Sequence, residues 1–285
     1  MSHILVVGGA GYIGSHMVLA LNDAGYSPIV FDNLSRGFAD AVVDAPLMIG
    51  DLRSPEDLAA CFRQYDISLV MHFAALAYVG ESVEEPLKYY ENNVSGTLNL
   101  LAAMRSNGVD KFVFSSTCAT YGVPDSVPIA ESVPQRPINP YGHSKLMVEQ
   151  VLKDCAHSDD LKSISLRYFN AAGADPELRA GERHDPETHL IPLVLEEALR
   201  LKQGGDPADT RLQVFGTDFE TPDGTCIRDY IHVSDLCRAH VLSAERLLNG
   251  NFGSGAEYYN LGNGRGYSVL ETIDTCRRVT GQPLA

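Results

Sequence analysis

Two spacings of apolar residues alternate along this chain. Short apolar runs suit strands buried on both faces, and longer segments with apolar positions three or four apart suit helices. Residues 4–7, 28–31, 47–50, 69–75 and 111–116 are five strand-like runs. Met17, Val18 and Leu21 follow the first at helical spacing. Tyr90, Val94, Leu98, Leu101 and Met104 predict a helix over 87–104, with Asn92 and Asn93 as polar exceptions. Ser54, Pro55, Glu56 and Asp57 carry the chemistry of a helix start. Further on, 192–201 predicts a helix, 212–215 a short strand, and 228–235 the approach to another helix. Strands alternating with helices predict right-handed crossovers and an α/β fold with a doubly wound parallel sheet.

The turn after the first run carries Gly8, Gly11 and Gly14, and Gly9, Gly11 and Gly14 also fit G-x-G-x-x-G. A strand, a glycine-rich turn and a helix start make an anion site, because backbone approaches a pyrophosphate closely and the first helical amides point at it. Asp32 closes the second run, 21 residues after Gly11. An acid there can accept hydrogen bonds from an adenosine ribose and repels a 2′-phosphate, which favours NAD over NADP. Arg36 reads as a solvated loop charge. Asp32, Asp51, Ala74 and Thr117 all fall at carboxyl ends of strand runs, where ligands of such sheets bind.

Composition narrows the class. The 285 residues are 45% hydrophobic and 21% charged, ordinary for a globular protein of one large or two modest domains. No apolar run approaches the ~18 residues of a membrane span, and the chain begins directly in a strand, so neither membrane nor secretory signal is expected. Six scattered cysteines without a C-x-x-C pair predict reduced thiols and a cytoplasmic protein. A net charge of −15 argues against sequence-independent nucleic-acid binding, so an anionic substrate must meet specific arginines. His184 and His189 lack H-E-x-x-H spacing and a cysteine partner, so no metal is expected. Composition shifts near Asn170, which places a boundary between 1–170 and 171–285.

Tyr141-x-x-x-Lys145 at a helix start puts both side chains on one face. A nearby ammonium would lower the phenol pKa and make Tyr141 a general base for a hydroxyl proton. Cys118 reads as a packed thiol and His143 as a surface residue.

The run from Gly8 to Gly14, Val79 to Ser82, Asn92 to Val94, Tyr141 to Lys145, Leu166 to Asn170 and Arg228 to Val233 together resemble the UDP-glucose 4-epimerases. These are extended members of the short-chain dehydrogenase/reductase superfamily, and the resemblance covers essentially the whole chain. It implies a Rossmann-type sheet domain over 1–170 and a smaller α/β substrate-binding domain over 171–285, with 229–240 returning to the first. It also implies bound NAD, a UDP-sugar substrate and a homodimer pairing the helices around 87–104 and 141–152.

By the same resemblance Tyr141, Lys145 and Thr117 are the catalytic residues. Thr117 would hydrogen-bond the sugar O4, and Lys145 would bind the nicotinamide ribose. Gly8, Gly11, Tyr12, Ile13, Gly14, Asp32, Asn33, Asp51, Leu52, Phe73, Ala74, Asn92 and Phe169, with Tyr141 and Lys145, match cofactor-contacting positions. Asn170, His189, Leu190, Phe215 and Arg228, with Thr117, match positions that hold the UDP-sugar, and Arg228 can take diphosphate oxygens in a bidentate way. His189 stands where well-known bacterial members carry Asn, and Ala77 where some carry Lys. The resembled proteins continue several tens of residues beyond the position of Ala285, including an Arg-x-Gly-Asp motif that holds the nucleotide-sugar.

A UDP-xylose/UDP-arabinose 4-epimerase would share the mechanism, and residues 117–122 also look like that group. A 4,6-dehydratase would need acids after Thr117, where Cys118 and Ala119 stand. A non-catalytic NAD-binding protein is the reading from a different class, and retention of Thr117, Tyr141 and Lys145 argues against it.

Overall fold

The structure is a computed structural model that describes residues 2–210, 212–250, 252–253 and 255–284. In chain order its main elements are β1 (His3–Val7), α1 (Tyr12–Asp23), β2 (Pro28–Asp32), β3 (Leu47–Ile49), α2 (Pro55–Gln64) and β4 (Ile67–His72). Next come α3 (Val79–Glu84), α4 (Pro86–Tyr89), α5 (Gly96–Ser106), β5 (Lys111–Thr117), α6 (Pro140–Ser158), β6 (Lys162–Tyr168) and β7 (Asn170–Ala172). The remainder is α7 (Leu190–Lys202), β8 (Ile227–His232), α8 (Val233–Leu248), β9 (Ala256–Leu261), β10 (Gly266–Ser268) and α9 (Val269–Thr280).

Seven strands form one parallel sheet in the order β3-β2-β1-β4-β5-β6-β9, and β10-β8-β7 form a small second sheet. Helices cover both faces of the large sheet, as doubly wound topology requires. One apolar layer joins Leu5, Phe31, Phe112 and Phe114 to Leu58, Leu100 and Leu152. The opposite layer joins Ile4, Val30 and Val113 to Met17, Leu21, Val233 and Leu247. β1 is flanked by β2 on one side and β4 on the other, and the strand order reverses there. Ligands of such sheets bind at that reversal, beyond the carboxyl ends.

Local chemistry sets the helix starts. Ser54 caps α2 through Asp57 N with Pro55 in the first turn, and Asn139 caps α6 through Gly142 N with Pro140 behind it. α9 opens on a reciprocal capping box of Ser268 and Glu271.

Three expectations need correction. The helix read over 87–104 is broken into α4, a wide π-helical turn over Tyr90–Ser95, and α5. The wide turn accompanies burial of Asn93, whose side chain bonds Leu76 N, Leu76 O and Ser144 Oγ at 2.9–3.0 Å. Residues 212–215 are irregular, not a strand. Their alternation is real, but Leu212 and Val214 satisfy it by packing on the cluster of α7 and α9, without a strand partner. Finally, the stretch that rejoins the first sheet is longer than 229–240. Helix α8 packs on α1, and β9 pairs with β6 from Ser163↔Ala256 to Tyr168↔Leu261.

Candidate functional site

A cleft of about 110 Å³, open at its mouth, lies over the carboxyl ends of β1, β2 and β4. Gly8, Gly11, Asp32, Asn33, Asp51, Leu52, Phe73, Ala74 and Asn92 line it, with Arg36 and Gly37 at its rim. Gly8 has φ +83°, and a Cβ there would sit 2.5 Å from Ala74 N. A Cβ on Gly14 would sit 2.1 Å from Gly8 O, so the start of α1 is packed directly on the loop. No side chain caps α1 at Gly11, which leaves its first amides for a ligand.

Asp32 Oδ2 accepts from Ala10 N at 3.0 Å and Oδ1 from Leu34 N at 2.8 Å. It therefore braces the glycine loop while lining the cleft, and burial pushes its carboxyl above the usual range despite those two bonds. Asn33 donates to Asp51 Oδ2 at 3.0 Å. Arg53 holds Asp51 from the other side at 2.7 Å, and its guanidinium keeps that carboxyl well below its ordinary value. Tyr12 donates to Gly173 O at 2.7 Å, tying the glycine loop to the chain beyond β7. Ile13 packs with Tyr168, Ile231 and Leu236. The Phe73 ring meets His240 at 4.8 Å.

The catalytic candidates gather at the end of β5. The Thr117 hydroxyl stands beside the Tyr141 phenol, and Thr117 Oγ1 accepts from Ala119 N at 3.1 Å. Lys145 is buried, donates to Ser115 O at 2.7 Å, and lies 4.7 Å from the Phe114 ring centre. Burial drags its pKa down to about 7, with the Glu149 carboxylate pulling upward. Here the sequence expectation is modified. Burial raises the Tyr141 phenol, and the opposing influence is the Thr117 hydroxyl beside it. The spacing does put Tyr141 and Lys145 on one helix, yet the ammonium's hydrogen bond is to Ser115 O and not to the phenol. Cys118 is a buried thiol pushed up to about 12, consistent with packing.

Residues 4–262 match the NAD dependent epimerase/dehydratase family. The chain belongs to that family. A UDP-glucose 4-epimerase of Halalkalibacterium halodurans is 52% identical over 282 residues, 99% of this chain and 81% of that one. The crystal structure of a Brucella ovis UDP-glucose 4-epimerase in complex with NAD superposes with a TM-score of 0.92 at 49% identity, covering 100% of this chain and 84% of that one. The Bifidobacterium longum UDP-glucose 4-epimerase in complex with NAD+ and UDP gives 0.90 at 38% identity, with coverage of 99% and 84%. The cleft, with its close-packed glycines and uncapped helix start, fits the dinucleotide that names the family.

The residues expected to hold substrate are spread along the second half. Asn170 donates to Asp229 O at 3.1 Å and fixes β7 beside β8, and Phe169 stands against Gly262. Arg228 is exposed on β8 with its guanidinium on Ile227 O at 3.0 Å. Phe215 is 81% exposed, whereas Leu190 turns inward to the cluster of α7 and α9. His189 is the residue before α7 and joins Glu182, His184 and Glu187 in a cluster.

Sequence reasoning missed the layer behind Thr117. Ser116 Oγ and the Arg167 guanidinium both donate to Glu149, at 2.5–2.9 Å, and Arg167 Nη1 donates to Tyr121 OH at 2.7 Å. The Arg167–Glu149 pair is almost fully buried, and truncating one member would strand the other charge at about 3–5 kcal/mol. Two signals were available. Glu149 continues the helical face of Tyr141 and Lys145, and Arg167 interrupts a run that becomes a buried strand.

Proposed function

We propose that the protein is an NAD-dependent UDP-glucose 4-epimerase interconverting UDP-glucose and UDP-galactose. One observation carries the reading: the neighbouring Thr117 and Tyr141 hydroxyls, with Lys145 on the same helix as Tyr141, stand at the strand end beside a dinucleotide cleft. When bound, the oxidised nicotinamide supplies the hydride acceptor, and later the hydride donor, that inversion at C4 requires. Tyr141 takes the O4 proton and returns it, and Thr117 holds O4 by a hydrogen bond. Lys145 would hold the nicotinamide ribose, and Asp32 the adenosine ribose. Arg228, with Asn170 and Phe215, would receive the UDP group, whereas Leu190 lies in the cluster of α7 and α9 and His189 in the cluster with Glu182, His184 and Glu187. Ser116, Glu149 and Arg167 keep Thr117 in place.

Relatives near 50% identity bear the UDP-glucose 4-epimerase name, so neither the pentose nor the non-catalytic alternative is favoured. Exposed Val83, Leu87, Leu98 and Met147 on α3–α6 support a homodimer through that face. Among the described residues no helix is long and apolar enough to cross a membrane, and the six cysteines are free, which supports a cytoplasmic location.

The test is incubation with UDP-galactose without added dinucleotide. UDP-glucose should form, seen by chromatography or by the anomeric proton signals, and Tyr141→Phe should lower turnover by orders of magnitude while bound NAD is retained. Failure to form UDP-glucose, or near-normal turnover in the variant, refutes the assignment.

A further inference from the structure

Between β7 and α7 the chain folds back across the nucleotide cleft. Tyr78 OH donates to Pro186 O at 3.3 Å, and Arg36 reaches Asp185 O at 3.4 Å. Inside that fold four side chains converge. We propose that Glu182, His184, Glu187 and His189 bind one divalent transition ion of the zinc class. The inference goes beyond the epimerase reading and does not depend on it.

Geometry is the first support. One ligand atom from each residue lies within 4.8 Å of all the others. His189 Nδ1 is 2.8 Å from Glu187 and 3.4 Å from Glu182, and His184 Nδ1 is 3.3 Å from Glu187 and 3.6 Å from Glu182. A tetrahedral ion with bonds near ~2.0 Å separates its ligand atoms by about 3.3 Å, within that spread.

Charge is the second. The two glutamate side chains are each 9% exposed and face the same point. Among the described residues their ion-pair partners are these two histidines alone, with neither lysine nor arginine. Two carboxylates held together out of water repel, and imidazoles that are ordinarily neutral near pH 7 do little to offset that. A divalent cation resolves the conflict. Two imidazole nitrogens with two carboxylate oxygens select zinc-class ions over calcium or magnesium, which prefer oxygen throughout.

Placement suggests the consequence. The His184 ring lies 5.9 Å from Tyr12 of the glycine loop, and the His189 ring 6.4 Å from Tyr78. A bound ion would pin the loop before α7 against the nucleotide cleft. Helical H-E-x-x-H spacing misses the set because the ligands converge through a bent, proline-containing loop.

Untagged protein stripped with a chelator is titrated with Co²⁺ alone, then with Zn²⁺. One Co²⁺ per chain should bind with the visible bands of a low-coordinate ion and without thiolate charge-transfer absorption, and Zn²⁺ should displace it one for one. Glu182→Gln and His184→Ala should each weaken binding more than about tenfold with an unchanged circular dichroism spectrum. If His184→Ala misfolds, Glu187→Gln supplies the same reading. No binding, a thiolate signature, or unchanged affinity in the folded variants overturns the proposal. The readout is metal occupancy, so failure of the epimerase assay leaves it distinguishable.

Discussion

Lys145 shows how much a single side chain is held against its preference. In the unfolded chain its amine titrates near ~10.4, while burial in the fold brings it to about 7. The folded state therefore binds fewer protons than the unfolded state between those two values. Stability must rise as pH climbs through that window, and the cost of the buried ammonium is present in full below it. Replacing Lys145 by Met removes this group from the comparison. Urea unfolding at pH 7 and at pH 9.5 should show the unmodified protein gaining stability relative to the variant; parallel responses would mean that Lys145 is not strained. Tyr141, Lys145, Thr117 and Asp32 were legible because their signals are local, a four-residue helical repeat or an acid closing a strand. The Ser116–Glu149–Arg167 layer was not, because its partners come from a strand end, a helix and the neighbouring strand.

Among elements, the π-helical turn over Tyr90–Ser95 makes contacts that a regular helix would not. It delivers Asn93 to the loop after β4 and to Ser144 on α6, next to Lys145. Asn93→Ala strands the Leu76 amide and carbonyl, which predicts a loss of about 1–3 kcal/mol in a urea melt. A change within a few tenths would show that the turn forms without that support. Five strands could be read because each holds an unbroken run of apolar residues. β6 and β9 escaped because buried strands do not always look buried. Ser163, Ser165 and Arg167 alternate along β6, and Glu257 and Asn260 interrupt β9, so polar residues occur where an apolar run would mark a core strand. Pairing of β6 with β5 and of β9 with β6, which no local pattern announces, places these two strands in the sheet.

Across the whole molecule, charge is the property that most sets its response to solution conditions. With 37 acidic and 22 basic side chains, a net −15 repels itself in the compact state. Raising salt from about 10 mM to about 150 mM shortens the screening length from roughly 30 Å to roughly 8 Å. If that relieves about 1 kcal/mol, the thermal midpoint rises by roughly 1.5–2 °C. Calorimetry that finds a fall, or no change, would show that the exposed ion pairs matter more than the net repulsion.

Because β9 zips onto β6, everything between them is an insertion within one sheet and not an appendage to it. During synthesis the outer edge of β6 stays open until residue 261 has left the ribosome, so a nascent chain carries an unpaired edge of the kind that invites misassembly. Once closed, the inserted stretch is stitched down at both ends by neighbouring strands. New binding preferences can then be explored there by drift, without loosening the grip on the nucleotide beneath.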